Sequence, residues 1–413
     1  MEGEFMAPII IPIFLPYLGC RKRCLFCNQK ATGEELPSPS CVRNFIEKSL
    51  SKLTLSNSLS LRGEKRLRSQ AEANPKIPRF ARNRLRNPKE DEIATPFRLA
   101  MTGKDNKCDG IGFVSHEEKR EKQIAFYGGS FTAIHREEQI RYLKEIQTFL
   151  ASGLIDSIRI STRPDALDEE ILALLKEYGV KTIELGTQSM IDQVLFLAKR
   201  GHCAEDTISA VLRLRRWGFE VGIQLMIGLP GDTFDRFLKT LDQIIDIKPD
   251  FVRIHPTLVL KGAPLENLWR AGRYSPLPLD EAIQWLKRGL LKLERASIPV
   301  ARVGLQPTRD LERNFLTGPY HSALHQLIDA AIFFDMAKHL LKISPNGSQA
   351  FFLCHPKEVS NLRGQRNENI LRLKEQFKLN KILIEEKKEL PRGYLGLQTQ
   401  EGEVSIDRKS LDF

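Results

Sequence analysis

The chain has 413 residues, of which 41% are hydrophobic and 28% charged. That balance suits a soluble globular protein of two or three domains. The longest apolar run near the N-terminus, Ile9 to Gly19, is too short for a bilayer and is broken by Pro12 and Pro16. Met1 to Met6 carries acids and no base, unlike a secretion signal. The expectation is a cytoplasmic protein with no membrane partner. A net charge of +11 favours a polyanionic partner.

In chain order, strand-like runs alternate with amphipathic helices. Runs fall at Ile9–Leu15, Ile124–Tyr127, Ser157–Ser161, Thr182–Leu185, Glu220–Ile227 and Phe251–Ile254. Apolar residues three and four apart predict helices over Glu137–Leu150, Asp168–Tyr178, Ala204–Trp217, Thr233–Ile247 and Asp280–Glu294, with Asp168 and Asp280 as N-caps. Strands alternating with helices build a parallel sheet, and chemistry collects at its C-terminal strand ends. Six such units predict an α/β fold with a partial (βα)6 barrel over residues 1–310.

Two regions break this rhythm. Residues 54–122 are polar and lack a long apolar period, and Lys76–Lys89 carries six basic residues and no acid. That composition predicts a disordered insertion, or an arm for RNA backbone. After residue 310 a connecting helical segment over 311–345 leads to a small α+β region over 346–413.

Of seven cysteines, three crowd into Gly19-Cys20-Arg21-Lys22-Arg23-Cys24-Leu25-Phe26-Cys27, a C-x3-C-x2-C spacing. An odd total argues against a full disulfide framework, and the tight cluster reads as a metal site. Three thiolates on one loop suit three irons of a [4Fe–4S] cube and leave the fourth open. The competing reading is structural zinc with Cys41 or His202 as fourth ligand.

The spacing resembles the radical S-adenosylmethionine (SAM) signature, and the resemblance implies a role for each motif. Cys20, Cys24 and Cys27 are expected to hold the cluster, and Phe26 to pack beside the SAM adenine. Phe126-Tyr127-Gly128-Gly129-Ser130 resembles the Gly-Gly-Glu motif that receives the methionine amino group, with Ser130 in place of the acid. Here Gly128 and Gly129 let the backbone approach a ligand. Arg163 is expected to clamp the SAM carboxylate, unless Asp165 merely caps the next helix. Gln188 is expected to face SAM, and Arg200 to reach its carboxylate or a substrate phosphate. His202, on the same loop, is expected to serve the site or to hydrogen-bond a helix start, and Met226 to line the adenine edge or belong to the core.

Taken together, Phe126–Thr132, Ser161–Asp165, Gly186–Ser189 with Lys199–His202, Met226–Pro230 and His255–Gly262 resemble the Elongator catalytic-subunit family of radical SAM proteins. That family carries a C-terminal acetyltransferase domain, for which the region after residue 310 is too short. The chain is therefore similar to shorter bacterial relatives lacking that domain. The resemblance implies reductive SAM cleavage for modification of a tRNA nucleobase, a reducing electron donor, and an acetyltransferase at most in trans. Alternatives are a small-molecule reaction like that of porphyrin oxidases, and a non-catalytic metal-dependent RNA-binding protein. Gly364-Gln365-Arg366-Asn367, between two predicted helices and followed by strands, resembles the G-x-x-G loop of KH RNA-binding modules, with Arg363 and Arg366 placed for phosphates.

Overall fold

A computed structural model of the chain describes residues 8–20, 24–29, 37–52, 120–343 and 347–411. Arg21, Lys22, Arg23, Cys108 and nearly all of the basic insertion lie outside these described residues. No helix among the described residues is long and apolar enough to cross a membrane.

The strands are β1 (Ile9–Leu15), β2 (Lys122–Gly128), β3 (Ser157–Thr162), β4 (Val180–Gln188), β5 (Glu220–Ile227), β6 (Phe251–Pro256), β7 (Val259–Leu260), β8 (Val300–Val303), β9 (Phe315–Thr317), β10 (Gln349–Cys354), β11 (Lys381–Glu386), β12 (Tyr394–Thr399) and β13 (Gly402–Asp407). The described residues divide into two compact units: 8–13, 37–52, 120–125 and 136–158, and 14–20, 24–29, 126–135, 159–343 and 347–411.

In the first unit, Tyr142 on the helix Arg136–Ala151 donates its hydroxyl to the Pro37 carbonyl at 2.9 Å. Arg43, on a helix over 39–52, pairs with Glu145 at 3.2 Å. Asp156 accepts from the Lys122 amide at 2.7 Å.

The second unit holds the C-terminal ends of the barrel strands in a seven-stranded sheet of order β1-β2-β3-β4-β5-β6-β8. The pairs from β4 to β8 are parallel. Ile183, Leu185, Val221, Ile223, Val252 and Ile254 are buried, as expected on a sheet face covered by crossover helices. The opposite face curls. Four strand spacings, roughly 19 Å if flat, separate β2 from β6, yet the Arg253 guanidinium lies 5.1 Å from the Tyr127 ring centre. The expected partial barrel is present with seven strands rather than six. Strand β8 escapes periodicity because Val300-Ala301-Arg302-Val303 is short and carries a charge.

Asp168 caps its helix, accepting from the Ile171 amide at 2.8 Å. Asp280 does not: the cap residue of Leu279–Arg295 is Pro278, and Asp280 lies in the first turn, where its charge meets the helix dipole.

The helix Leu324–Ile343 is more than a connector. It buries Leu324, Ile328, Phe333, Met336 and Leu340 among others, and contacts the helix Leu279–Arg295 and strands β12 and β13. A helix apolar on nearly every side is a core helix. The C-terminal sheet has order β11-β10-β12-β13, with β10 and β11 parallel and the rest antiparallel. Strand β13 alternates half-buried and exposed residues and carries little apolar signal. Between the helices Val359–Arg363 and Glu368–Phe377, Gly364, Arg366 and Asn367 adopt φ of 68°, 50° and 63°.

Candidate active site

All the proposed ligands of cluster and SAM belong to the second unit and follow the strand ends. A turn after β1 carries Tyr17 at φ 59° and Gly19 at φ 74°, which delivers Cys20 with its Sγ 4.0 Å from the Ser130 hydroxyl. Cys24 is buried and accepts from the Arg200 Nη1 at 2.9 Å. The Cys27 amide donates to the Cys24 carbonyl at 3.2 Å.

The residues after Cys27 fasten this loop. The Gln29 amide donates to the Tyr17 hydroxyl at 2.8 Å, and that hydroxyl donates to Asn28 Oδ1 at 3.0 Å. Gln29 Nε2 donates to the Gly128 carbonyl at 2.6 Å. Asn28 donates to the Lys261 carbonyl.

No three His, Cys, Asp or Glu side chains converge as a metal site among the described residues. The thiols do share one electrostatic environment. Burial, then the negative charge of Cys24 and Cys20, push the Cys27 thiol up to about 12, against Gln29 and Arg200. A buried thiol set beside two others fits a metal ligand, because metal binding displaces its proton and neutralises its charge.

The glycines of the second motif serve the chain itself. A Cβ on Gly129 would collide with the Leu18 carbonyl and stand 2.9 Å from that of Leu15. The Gly129 and Ser130 amides donate to Leu15 and Leu18, each at 2.9 Å. The close approach expected toward a ligand is thus toward β1 and the cysteine loop. Ser130 is buried and starts a short 3-10 turn without capping it.

Arg163 closes its fork on Asp165, at 2.8 and 2.6 Å, and must open to take a SAM carboxylate. Asp165 is that partner and not a helix cap. Gln188 sits after a β-bulge at φ 69°, and its Oε1 accepts from Gln224 at 3.4 Å. Arg200 also donates to the Gly186 carbonyl, while its buried Nε has no hydrogen-bond partner among the described residues. His202 bonds the Thr187 carbonyl at 3.2 Å and no helix start. Burial, then Arg200, lower it to about 4, and it stays neutral. Phe26 packs with Met226, Val194, Ala198 and Leu229, so the two adenine-edge candidates meet.

A polar layer on the concave face had been assigned no role from the sequence. Glu184, 2% exposed, accepts from Arg159 at 2.8 Å, from Tyr127 at 3.0 Å and from Arg253 at 2.7 Å. Arg253 and Arg159 hold its carboxyl below the usual range despite burial. A charge flanked by apolar neighbours in each strand was the readable signal.

A curled parallel sheet with its polar groups and cysteine loop at the strand ends defines a radical SAM barrel. The radical SAM superfamily model matches residues 111–244 and the Radical_SAM C-terminal domain model residues 249–333, the first match beginning after the cysteine loop. The chain belongs to the radical SAM superfamily of enzymes.

Among the proteins it is similar to are a tRNA uridine(34) acetyltransferase and an Elongator complex protein 3. It is 38% identical over 128 residues to a tRNA uridine(34) acetyltransferase of Methanocaldococcus infernus, covering 30% of this chain and 24% of that protein. It is 30% identical over 170 residues to protein YhcC of Escherichia coli, covering 39% and 53%. It is 25% identical over 181 residues to Elongator complex protein 3 of Bos taurus, covering 39% and 33%. The chain thus spans from a quarter to about half the length of these relatives.

Proposed function

We propose that the protein is a radical SAM enzyme that modifies a nucleobase in tRNA. The carrying observation is the placement of Cys20 beside Ser130 and Cys24 beside Arg200 at the strand ends of the barrel. Cys20, Cys24 and Cys27 would hold a [4Fe–4S] cluster. When bound, the cluster supplies the electron that splits SAM into methionine and a 5′-deoxyadenosyl radical.

The chain's own residues would bind and orient SAM. Phe26 and Met226 offer the apolar wall for adenine. Gln188 and the Ser130 hydroxyl offer polar contacts. Arg163 and Arg200 would receive the methionine carboxylate, as bidentate guanidinium donors. The apolar cluster around Met226 keeps water from the adenine side. The names of the tRNA-acting relatives support tRNA as substrate, as does the net charge of +11. In the C-terminal region Arg363 and Arg366, on either side of the left-handed Gly364 turn, would meet RNA phosphates. A reducing electron donor is required, and an acetyltransferase in trans is compatible.

The test is anaerobic reconstitution with iron and sulfide, reduction, and assay of SAM. Formation of 5′-deoxyadenosine and methionine is expected, and lost in a Cys24→Ala variant. Absence of both products from a fully loaded protein would overturn the enzyme reading. Nucleoside mass spectrometry of tRNA from a deletion strain tests the substrate, since an unchanged profile removes tRNA.

A further inference from the structure

The polar layer on the concave face of the sheet carries more positive charge than its own acid balances. Glu184 serves both Arg159 and Arg253. A further guanidinium, Arg302 on β8, stands beside Arg253, their Cα positions paired across the β6–β8 ladder. Arg302 donates to the neutral amide of Gln306 at 2.6 Å and has no carboxylate partner among the described residues. Burial, then repulsion from Arg253, lower its pKa from the ordinary arginine value. Two residues after Arg253, on the same face of β6, stands His255. Its Nε2 is buried with no hydrogen-bond partner among the described residues, and burial with Arg253 and Arg302 holds the ring neutral, near 3.

A buried polar group without a partner costs about 1–3 kcal/mol, and a partly buried charge without a counter-ion, such as Arg302, adds to that. Structures tolerate both together where a ligand completes them. The completing ligand here must be anionic, to match Arg302, and must offer or accept a hydrogen bond at His255. The location is next to SAM chemistry: His255 pairs across the β5–β6 ladder with Met226, the residue at the adenine wall.

We propose that Arg302 and His255 form an oxyanion subsite that seats a phosphate or carboxylate of the molecule the radical attacks. The assignment of this oxyanion to the attacked molecule rests on the radical SAM reading above, while anion binding itself can be tested without it. Phosphate would come from a nucleotide, carboxylate from a small acid.

The test uses the full chain and two probes, inorganic phosphate and acetate, each titrated against chloride at constant ionic strength while thermal unfolding is followed. A ligand bound to the native state raises the melting temperature in proportion to the logarithm of its concentration once saturating. The wild-type rise with one probe is expected to fall by at least half in Arg302→Gln, and the effective probe names the source. An equal rise in wild type and Arg302→Gln would overturn the proposal. So would loss of SAM affinity in Arg302→Gln by equilibrium dialysis, which would assign the cation to the cosubstrate's own carboxylate. If Arg302→Gln does not fold, the charge-retaining Arg302→Lys carries the test: it should rise with the probe, and no rise overturns the subsite. A wild type that shows the Arg302-dependent rise but forms no 5′-deoxyadenosine would keep the subsite and remove the radical reading.

Discussion

The guanidinium of Arg200 donates to the sulfur of Cys24 at 2.9 Å. A residue 176 positions further along the chain thereby reaches the middle thiol of the cysteine loop. It does so because Lys199 and Gly201, with φ of 55° and 73°, turn the chain back after the helix Asp192–Leu197. Arg200→Gln removes a charge-assisted bond to sulfur and the bond to the Gly186 carbonyl. We expect it to cost about 1.5–3 kcal/mol in denaturant unfolding and to lower SAM affinity. Unfolding unchanged within 0.5 kcal/mol, on the order of a neutral surface change, would mean that these bonds do not form.

Gly129 is expected to tolerate no side chain. Gly129→Ala places a methyl against the Leu18 carbonyl, and overpacking of a rigid backbone contact costs about 1–3 kcal/mol or more. Because the displaced segment leads into Cys20, iron bound per chain should fall with it. Iron analysis of the reconstituted variant checks this, and wild-type content would refute the packing argument.

Glu184 serves two guanidinium groups and a phenol. Glu184→Gln keeps the shape and deletes the charge, leaving buried cations uncompensated. Breaking such a pair from one side costs roughly 3–5 kcal/mol. Chemical denaturation should show a loss of that size, and a milder effect would show that the cations relax into water.

Asp232 follows the Gly-Leu-Pro-Gly turn and accepts from the Gly228 and Thr233 amides, each at 3.0 Å. Burial raises its pKa from 3.8 to about 7 against those bonds. A carboxyl raised in the folded state is favoured when protonated, so its contribution is fully present below pH 3.8 and is lost as pH rises toward 7. Relative to Asp232→Asn, the wild type should lose stability across that window. Unfolding free energies of both proteins at pH 4 and pH 7 decide it: a constant difference contradicts the burial argument.

For RNA contact, Arg363→Ala and Arg366→Ala together should weaken binding of unmodified tRNA. The slope of log affinity against log salt should fall by about 1 to 2. An unchanged slope would place the phosphate contacts elsewhere.

Much of this was legible in the sequence. Hydrophobic periodicity marks the barrel strands up to β6, and Asp168 is readable as a cap because a polar residue precedes an apolar helical period. What stayed hidden had physical reasons. Strand β8 is four residues long, below the length at which alternation is visible. Pro278 starts a helix through its fixed backbone angle, so the acid beside it drew the cap assignment. Asp165 pairs with Arg163 two residues back, and no pattern distinguishes a local ion pair from a cap or a ligand. The concave layer is assembled from single charges on separate strands, and only the curl of the sheet brings Tyr127 to Arg253.

The two side chains after the third cysteine, Asn28 and Gln29, tie their segment to the Lys261 and Gly128 carbonyls. Neither bond uses a thiol, so both would persist when iron leaves Cys27. The segment after Cys27 should then keep its place, so that oxygen damage to the inorganic core becomes a repairable event and not an unfolding one.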